Sequence, residues 1–443
     1  MSFPRYERYK DSGIEWLGEI PEHWEIKKLK YLGEALIGLT YDPSDVVGED
    51  GTLVLRSSNV QNGKIVFEDN VYVRKIIPEK LITKTGDILI CSRNGSRALI
   101  GKNAEIGTES TGLTFGAFMT IFRSKYNNYL SYIFNSSLFK FQSGSFLTST
   151  VNQLTTSNLY TFEVPFPPIA EHKHIANFLD RETTIINELI VEQQRLIELL
   201  KEKRQAVISH AVTKGLNPDV PMKDSGIEWL GDVPEHWEVK KLGFICKKIG
   251  SGKTPLGGST TYIDSGVLFI RSQNVYDEGL IIDDVVYIAE QTDSEMSFSR
   301  VFPGDILLNI TGASLGRTCL VPDNFVPANV NQHVCIIRLA EINFRSYIAM
   351  VMKSNFIKVQ IDAIQNGAAR EGLNFEQISR LSFGLPSIDE QAQIVSFLEC
   401  ETIKIDELTT EAEKAIELLK ERRTALISAA VTGKIDVRGL VER

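Results

Sequence analysis

The sequence lacks the marks of an exported, membrane-spanning or polycationic protein. Its five cysteines (Cys91, Cys246, Cys319, Cys335 and Cys400) are odd in number, widely spaced and form no CxxC pair. That pattern excludes a disulfide framework and a cysteine zinc site, and points to a reducing cytoplasm. No apolar run approaches the ~18 residues of a membrane span, and the opening MSFPRYERYK has no apolar stretch for a signal peptide. Positive charge is not in excess either: 48 Lys+Arg stand against 57 Asp+Glu, a net charge of −9. That balance argues against simple polycation binding to nucleic acid, because such binding needs many phosphate contacts. The deficit is uneven. Residues 30–168 carry 13 Lys+Arg against 12 Asp+Glu, and residues 243–386 carry 12 against 14, whereas residues 387–432 carry 5 against 10. The acidity sits largely in one helical stretch, and a near-neutral domain can still hold a local basic cleft.

What the chain does have is 443 residues, 43% of them hydrophobic, and an internal repeat. DSGIEWLGEIPEHWEIKKL at 11–29 returns at 224–242 as DSGIEWLGDVPEHWEVKKL, with 16 of 19 positions identical. IELLKEKRQAVISHAVT at 197–213 returns at 416–432 as IELLKERRTALISAAVT, with 13 of 17 identical. Between these flanks the halves agree only in outline, as in Arg56-Ser57-Ser58-Asn59-Val60 against Arg271-Ser272-Gln273-Asn274-Val275, and Gly86-Asp87-Ile88-Leu89 against Gly304-Asp305-Ile306-Leu307. Near-identical flanks imply one job done twice; divergent middles imply a shared fold with different jobs.

The fold expected is mixed α/β: two α+β domains joined by two long antiparallel helices that pair as a coiled coil, a pseudo-twofold dumbbell. Strands are predicted at Gly63–Val73, Asp87–Cys91, Leu268–Ile270, Ile281–Ile288, Ile306–Ile310 and Val334–Leu339, and amphipathic helices at Tyr129–Phe141 and Phe344–Ile364. Long helices are predicted from Glu171 to His210 and from Asp389 to Ala429, with a/d-like positions at Leu179, Ile186, Leu189, Leu196, Leu200 and Val207, and at Leu398, Ile405, Leu408, Ala412, Ala415, Leu419 and Leu426. Ser387 with Glu390 fits a capping box, and Gly215 and Gly433 fit helix terminators. The partition is a first domain at 1–168, a first helix at 169–213, a linker at 214–223, a second domain at 224–386, a second helix at 387–432 and a tail at 433–443. A twofold reader with unlike middles predicts two unlike half-sites on a duplex.

The repeated D-S-G-I-E-W-L-G-x-[IV]-P-x-H-W, the G-D-I-L of each middle and the tails VISHAVT and LISAAVTGKIDVR are similar to the specificity (S) subunits of type I restriction–modification systems, over nearly the whole chain. The resemblance implies that each target-recognition domain reads one half of a bipartite site in double-stranded DNA. It implies partners too: two methyltransferase (M) subunits that methylate adenine with S-adenosylmethionine held by M, and restriction (R) subunits that use ATP and Mg for translocation and cleavage. No catalytic residue, cofactor or metal is then expected in this chain. The residues agree: there is no Asn/Asp-Pro-Pro-Tyr/Phe run, no nuclease carboxylate–lysine set, and the six histidines show no partner spacing for a metal or a triad.

Base reading needs Arg, Lys, Asn and Gln on groove-facing loops, and phosphate anchoring needs Lys, Arg, Ser and Thr. The DNA-contact candidates are Arg56, Ser57, Asn59, Arg93, Asn94, Arg97 and Lys102 in the first domain. In the second they are Lys253, Thr254, Arg271, Gln273, Asn274, Thr311, Arg317, Asn331, Gln332 and Arg370. Each alone is more often a solvated loop residue or a structural hydrogen bonder, and it is their grouping at matched places in both halves that points to DNA; Lys102 and Arg317 fall at equivalent places. Gly250-Ser251-Gly252-Lys253-Thr254 resembles a phosphate loop, but GxxxxGK[ST] needs glycine at 247, where lysine stands, and Pro255 follows. Trp16, Trp24, Trp229 and Trp237 lie in the shared flanks and are expected to join domain to helix end rather than to stack on bases. Lys201–Arg204 and Lys420–Arg423 could touch phosphates, but as helix-end cations they are expected to complement the dipole and face solvent. Two competing readings are a coiled-coil scaffold that reads no DNA and an NTP-dependent enzyme resting on the Gly250 loop.

Overall fold

Short β-branched and aromatic runs between glycines build the strands of both halves. The structure, a computed structural model, describes residues 3–146, 152–365 and 372–440. The chain forms two units, Met1–Gln194 with Glu413–Arg443, and Arg195–Ala412.

In the first unit one sheet has the order Asn103–Glu105, Ile88–Cys91, Met119–Arg123, Glu34–Ile37, all neighbours antiparallel. A second has the order Thr114–Phe115, Thr52–Leu55, Tyr72–Val73, Val46–Val47, its first pair parallel. Successive strand residues face opposite ways, so the strand Ile88–Cys91 serves two cores. Leu89 and Cys91 pack with Val54, Leu55 and Phe115 of the second sheet, while Ile88 and Ile90 pack with Tyr129, Ile133 and Phe134. The second unit repeats the plan. Ile306–Asn309 lies between Val334–Leu339 and Thr318–Leu320, and Leu268 pairs in parallel with Ala328.

The aspartate of each G-D-I-L is fixed by an arginine from the neighbouring strand. Asp87 takes Nε and Nη2 of Arg123 at 2.8 and 2.6 Å, and Asp305 takes the same atoms of Arg338 at 2.7 Å each. Both aspartates are buried, and hydrogen bonding to Asp87 holds the Arg123 guanidinium above its usual value. Removing one partner strands the other charge, so Asp305→Ala is expected to destabilise the second unit by about 3–5 kcal/mol in urea unfolding.

Several predicted elements are shorter than expected. Of Gly63–Val73 only Lys64–Ile65 and Tyr72–Val73 are strands, and of Ile281–Ile288 only Val286–Ile288. The intervening turns are held instead by side chains of the Arg-Ser-x-Asn loops, described below. Tyr129–Phe141 is two helices, Asn127–Phe134 and Ser137–Ser145. Phe344–Ile364 is likewise Arg345–Lys353 and Asn355–Gln365, interrupted where Ser354 turns extended.

The long helices run further than predicted, Ile169–Lys214 and Ile388–Val431. They stop at Gly215 and Gly433, with φ of +77° and +73°, where only glycine is unstrained. Inside each unit the two helical segments run antiparallel. In the first, Arg423 donates to Asn187 Oδ1 at 2.7 Å, and residues 431–433 lie beside the helix start. In the second, the repeat-equivalent pair is Arg204 with Asp406, and Gly215 meets Glu390. The predicted seam holds at Leu179, Ile186, Leu200, Leu398, Ile405, Ala412 and Leu426, which are buried, but Leu189, Leu196 and Leu408 are exposed. A strict seven-residue pattern drifts around a helix of 3.6 residues per turn.

The shared flanks grip both helix ends. Trp24 Nε1 donates to Glu171 Oε2 at 3.2 Å, and His23 Nε2 lies 2.6 Å from Glu171 Oε1. In the second unit Trp237 Nε1 donates to Glu390 Oε1 at 3.0 Å, and His236 Nε2 lies 2.9 Å from Oε2. The Glu390 backbone N–H donates to Ser387 Oγ at 3.3 Å, as in a helix cap, while its carboxylate accepts from the tryptophan. Matched tyrosines complete the grip: Tyr129 donates to Pro165 O and Val431 O, and Tyr347 to Gly384 O and Val212 O. Trp24 and Trp237 are thus packing residues, as expected; Trp16 and Trp229 are exposed.

One difference within this repeated core is chemical. His172 is buried, stacked on Tyr129 at 4.6 Å and edged by Phe166 and Tyr126; Gln391 stands in its place in the second unit, buried as well. His172 Nε2 has no partner among the described residues. Burial pushes the His172 imidazole below its usual pKa; a backbone bond to Pro167 and the Glu171 charge oppose this, and the Lys27 charge adds to it. The unfolded chain therefore takes up its proton first as pH falls through ~6.5, and stability is lost on acidification. We expect unfolding midpoints between pH 7 and pH 5 to fall less steeply in His172→Gln than in the unaltered chain.

Candidate nucleic-acid interface

At one end of each sheet pair the chain leaves four strands in loops that interlock. In the first unit, loops follow Ile37, Leu55, Cys91 and Phe115. Gly38 N–H donates to Met119 O, Gly116 N–H to Leu55 O and Arg93 N–H to Phe118 O, at 3.0–3.1 Å. Asn94 Nδ2 reaches Ser57 Oγ at 3.2 Å, tying the Ser-Arg-Asn-Gly-Ser-Arg run to the Arg-Ser-Ser-Asn loop. In the second unit Gly252 N–H donates to Asn331 O, Asn331 N–H to Ile270 O and Ile310 N–H to His333 O. Asn309 Nδ2 reaches Ser272 O at 2.8 Å.

The described candidates converge on these loop ends. Arg56, Ser57, Asn59, Arg93, Asn94 and Arg97 lie together in the first unit. Lys102 stands across from Cys91, whose N–H its carbonyl accepts at 2.8 Å. Arg317 holds the equivalent place across from Asn309, also at 2.8 Å. Lys253, Thr254, Arg271, Gln273, Asn274, Thr311, Asn331 and Gln332 gather at the same end of the second unit. Thr254 bonds Gln332, and Thr311 Oγ1 lies 2.6 Å from His333 Nδ1. Arg370 lies outside the described residues.

The members differ in how free they are. Asn59 is fully buried: its Oδ1 accepts from Arg56 N–H at 2.9 Å and its Nδ2 donates to Val66 O at 3.0 Å. Asn274 repeats this with Arg271 N–H and Ile281 O, at 3.0 Å each. Arg56 and Arg271 turn back on Asp69 and Asp284. These four residues shape the turn after the strand. Asn331 is also buried, its Oδ1 accepting from His333 N–H at 3.0 Å. Gln273 is exposed but donates to Asp284 at 2.6 Å.

Arg93, Arg97, Lys253, Thr254 and Gln332 are exposed, and Ser57, Asn94, Lys102, Thr311 and Arg317 half-buried. Three of the cations stand over aromatic rings: Arg93 over Phe118 at 5.2 Å, Lys253 over Phe298 at 5.8 Å and Arg317 over Tyr276 at 4.8 Å. Phe118 and Phe298 are more than half exposed. Sequence reasoning passed over these aromatics; the signal for Phe118 was its place in a Gly-bounded loop of a sheet whose other aromatics are core.

The apparent phosphate loop has a different cause. A Cβ on Gly252 would sit 1.6 Å from Val330 O, so glycine is needed where the strand Cys246–Ser251 runs against that backbone. Gly38 meets Gly116 O in the same way in the first unit. No α-helix follows Thr254; the chain turns at Gly257, with φ of +97°, into a short 3-10 segment, Gly258–Thr261. The anion-binding helix N-terminus that such a loop requires is replaced by a turn.

Known proteins with the same pattern exist. The family described as "Type I restriction modification DNA specificity domain" matches residues 21–200 and again 234–418. The EcoKI specificity subunit of Escherichia coli K12 is 23% identical over 96% of this chain and 92% of its own length. The putative MjaX specificity subunit of Methanocaldococcus jannaschii is 26% identical over 99% of each. A solved chain from a study of complex assembly and conformational transition in the type I R-M system shares the fold, with a TM-score of 0.68 at 16% identity, covering 93% of this chain and 98% of that one.

Proposed function

This chain belongs to the type I restriction–modification DNA specificity family, and from that premise we propose that its two target-recognition domains each read one half of a bipartite site in double-stranded DNA. The observation that carries the reading is the pairing of sameness with difference. Both units hold similar interlocked loops on the same sheet ends, yet the first offers Arg93, Asn94 and Arg97 from the loop after Cys91, while the second offers Thr311 from the matching loop and Lys253 and Gln332 from its neighbours. Unlike donors on like frames read unlike base edges. Lys102 and Arg317, matched in place and charge, suit phosphates, which are alike in both half-sites. Asn59 and Asn274 leave the contact set, because both are buried and their amides are spent on the turn, while Arg56, Arg271 and Asn331 keep side-chain nitrogens unbonded among the described residues and stay in it.

The matched helix-end grips give the two units a common surface, which suits two copies of one methyltransferase subunit; restriction subunits would join that assembly. The chain is a reader and holds no chemistry of its own in this proposal: S-adenosylmethionine belongs to the methyltransferase subunit, ATP and Mg to the restriction subunit. No helix among the described residues is long and apolar enough to cross a membrane, and a cytoplasmic assembly on DNA is the setting proposed. Selecting random duplexes with the assembled methyltransferase complex tests the reading. An enriched motif in two separated, unlike parts is expected; no enriched motif would favour the scaffold reading.

A further inference from the structure

The first unit covers a helix face that the second leaves open. Phe178 and Phe397 lie 219 residues apart, in equivalent places on the two long helices. Their inner neighbours match, with Ile175, Leu179 and Ile186 buried in one copy and Ile394, Leu398 and Ile405 in the other. Phe178 itself is 1% exposed and Phe397 41%. The cover on Phe178 is the chain's own beginning and end: Phe3 meets its ring edge-on at 5.7 Å, and Arg181 Nη1, one turn on, donates to Leu440 O at 3.0 Å. In the second unit the helix ending at Lys214 leads within a few residues into the strand Met222–Asp224, so no length of chain is left over to do the same. What remains is a shallow, open groove along one helix face, lined by Gln393, Ser396, Phe397, Cys400, Glu401 and Lys404.

We propose that this groove receives an aromatic-bearing extended segment of one methyltransferase subunit, so that the two docking positions are unequal: one plugged by Phe3, one open. The inference rests on the reading of this chain as a methyltransferase-docking specificity subunit. The first unit shows the chemistry that fits, a phenyl ring edge-on to the helix phenylalanine with a backbone carbonyl beside the next turn. DNA does not suit the groove, because Lys404 is already paired with Glu401 at 2.6 Å. A second copy of this chain is disfavoured too, since its Phe3 is held by its own helix at the high effective concentration of an intramolecular contact.

The test uses the full chain with its cognate methyltransferase subunit. Cys400 is exposed within the groove, and its alkylation by N-ethylmaleimide is followed by mass spectrometry. One equivalent of methyltransferase subunit is expected to protect Cys400. Phe397→Ser, at a side chain 41% exposed, is expected to weaken one of two docking steps by at least about tenfold, as loss of an aromatic anchor does, and to leave the other unchanged. A complex of two methyltransferase subunits per chain in which Cys400 reacts at its free rate would overturn the proposal and leave the functional reading standing. Protection of Cys400 in the chain alone, with dimers in sedimentation, would also overturn it by naming a second copy as occupant. If the methyltransferase subunit binds neither unit, the functional reading itself falls.

Discussion

Replacing Trp237 with alanine is expected to cost the second unit about 3–5 kcal/mol, the range for deleting a large buried aromatic. The side chain is fully buried, and the structure is built close around it: a Cβ on Gly384 would lie 2.6 Å from its ring, and one on Gly215 3.4 Å. The cavity therefore opens where a strand, the start of one helix and the end of the other meet, and collapse at a three-way junction is poor. Glu390 also loses an indole donor and, among the described residues, keeps only His236 as a partner of its carboxylate. Trp237→Phe retains most of the volume and loses that bond, so a smaller loss of about 1.5–3 kcal/mol is expected, the range for hydrogen bonds to charged groups. Trp229, exposed in the same repeat, serves as the control: Trp229→Ala should fall within about 0.5 kcal/mol. Urea midpoints for the three variants check the ordering. Equal losses at Trp229 and Trp237 would contradict the role given to the junction.

Substituting the exposed cations should damage recognition one half-site at a time. Arg93→Ala with Arg97→Ala is expected to weaken binding of the assembled complex by roughly 1–3 kcal/mol for each arginine that pairs with a base, with discrimination lost only in the half read by the first unit. Lys253→Ala is expected to act on the other half alone. Lys102→Ala and Arg317→Ala should behave differently, weakening all duplexes together and lowering the salt dependence by about one contact each. Titrating duplexes altered one base pair at a time, at two salt concentrations, separates these outcomes. Loss of discrimination in both halves from the Arg93 and Arg97 pair would contradict the assignment of one half-site to each unit.

The repeat carried most of what was legible. Identical flanks announced a common junction, and Trp24 and Trp237 were read as its packing residues because a reader of different sequences has no reason to keep them. Residues that act through geometry rather than composition were harder. Arg123 and Arg338 look like ordinary strand ends until the register brings them onto Asp87 and Asp305. Tyr129 and Tyr347 sit at helix positions that predict burial but not their hydroxyl bonds to a helix carbonyl. The Arg-Ser-x-Asn runs have the composition of a base-reading loop, yet their asparagines are turned inward to hold a hairpin, which no local pattern distinguishes. Gly252 has the surroundings of a phosphate loop because close backbone approach and phosphate binding ask for the same residue.

Everything functional follows from two unlike sets of side chains mounted on one repeated frame. The most direct measurement is a map of methylated adenines in a host carrying this chain and its methyltransferase subunit, before and after residues 243–386 are exchanged for those of another family member. A two-part motif is predicted, with one half replaced by the exchange and the other left intact. A motif whose halves both change, or a single undivided motif, would contradict it.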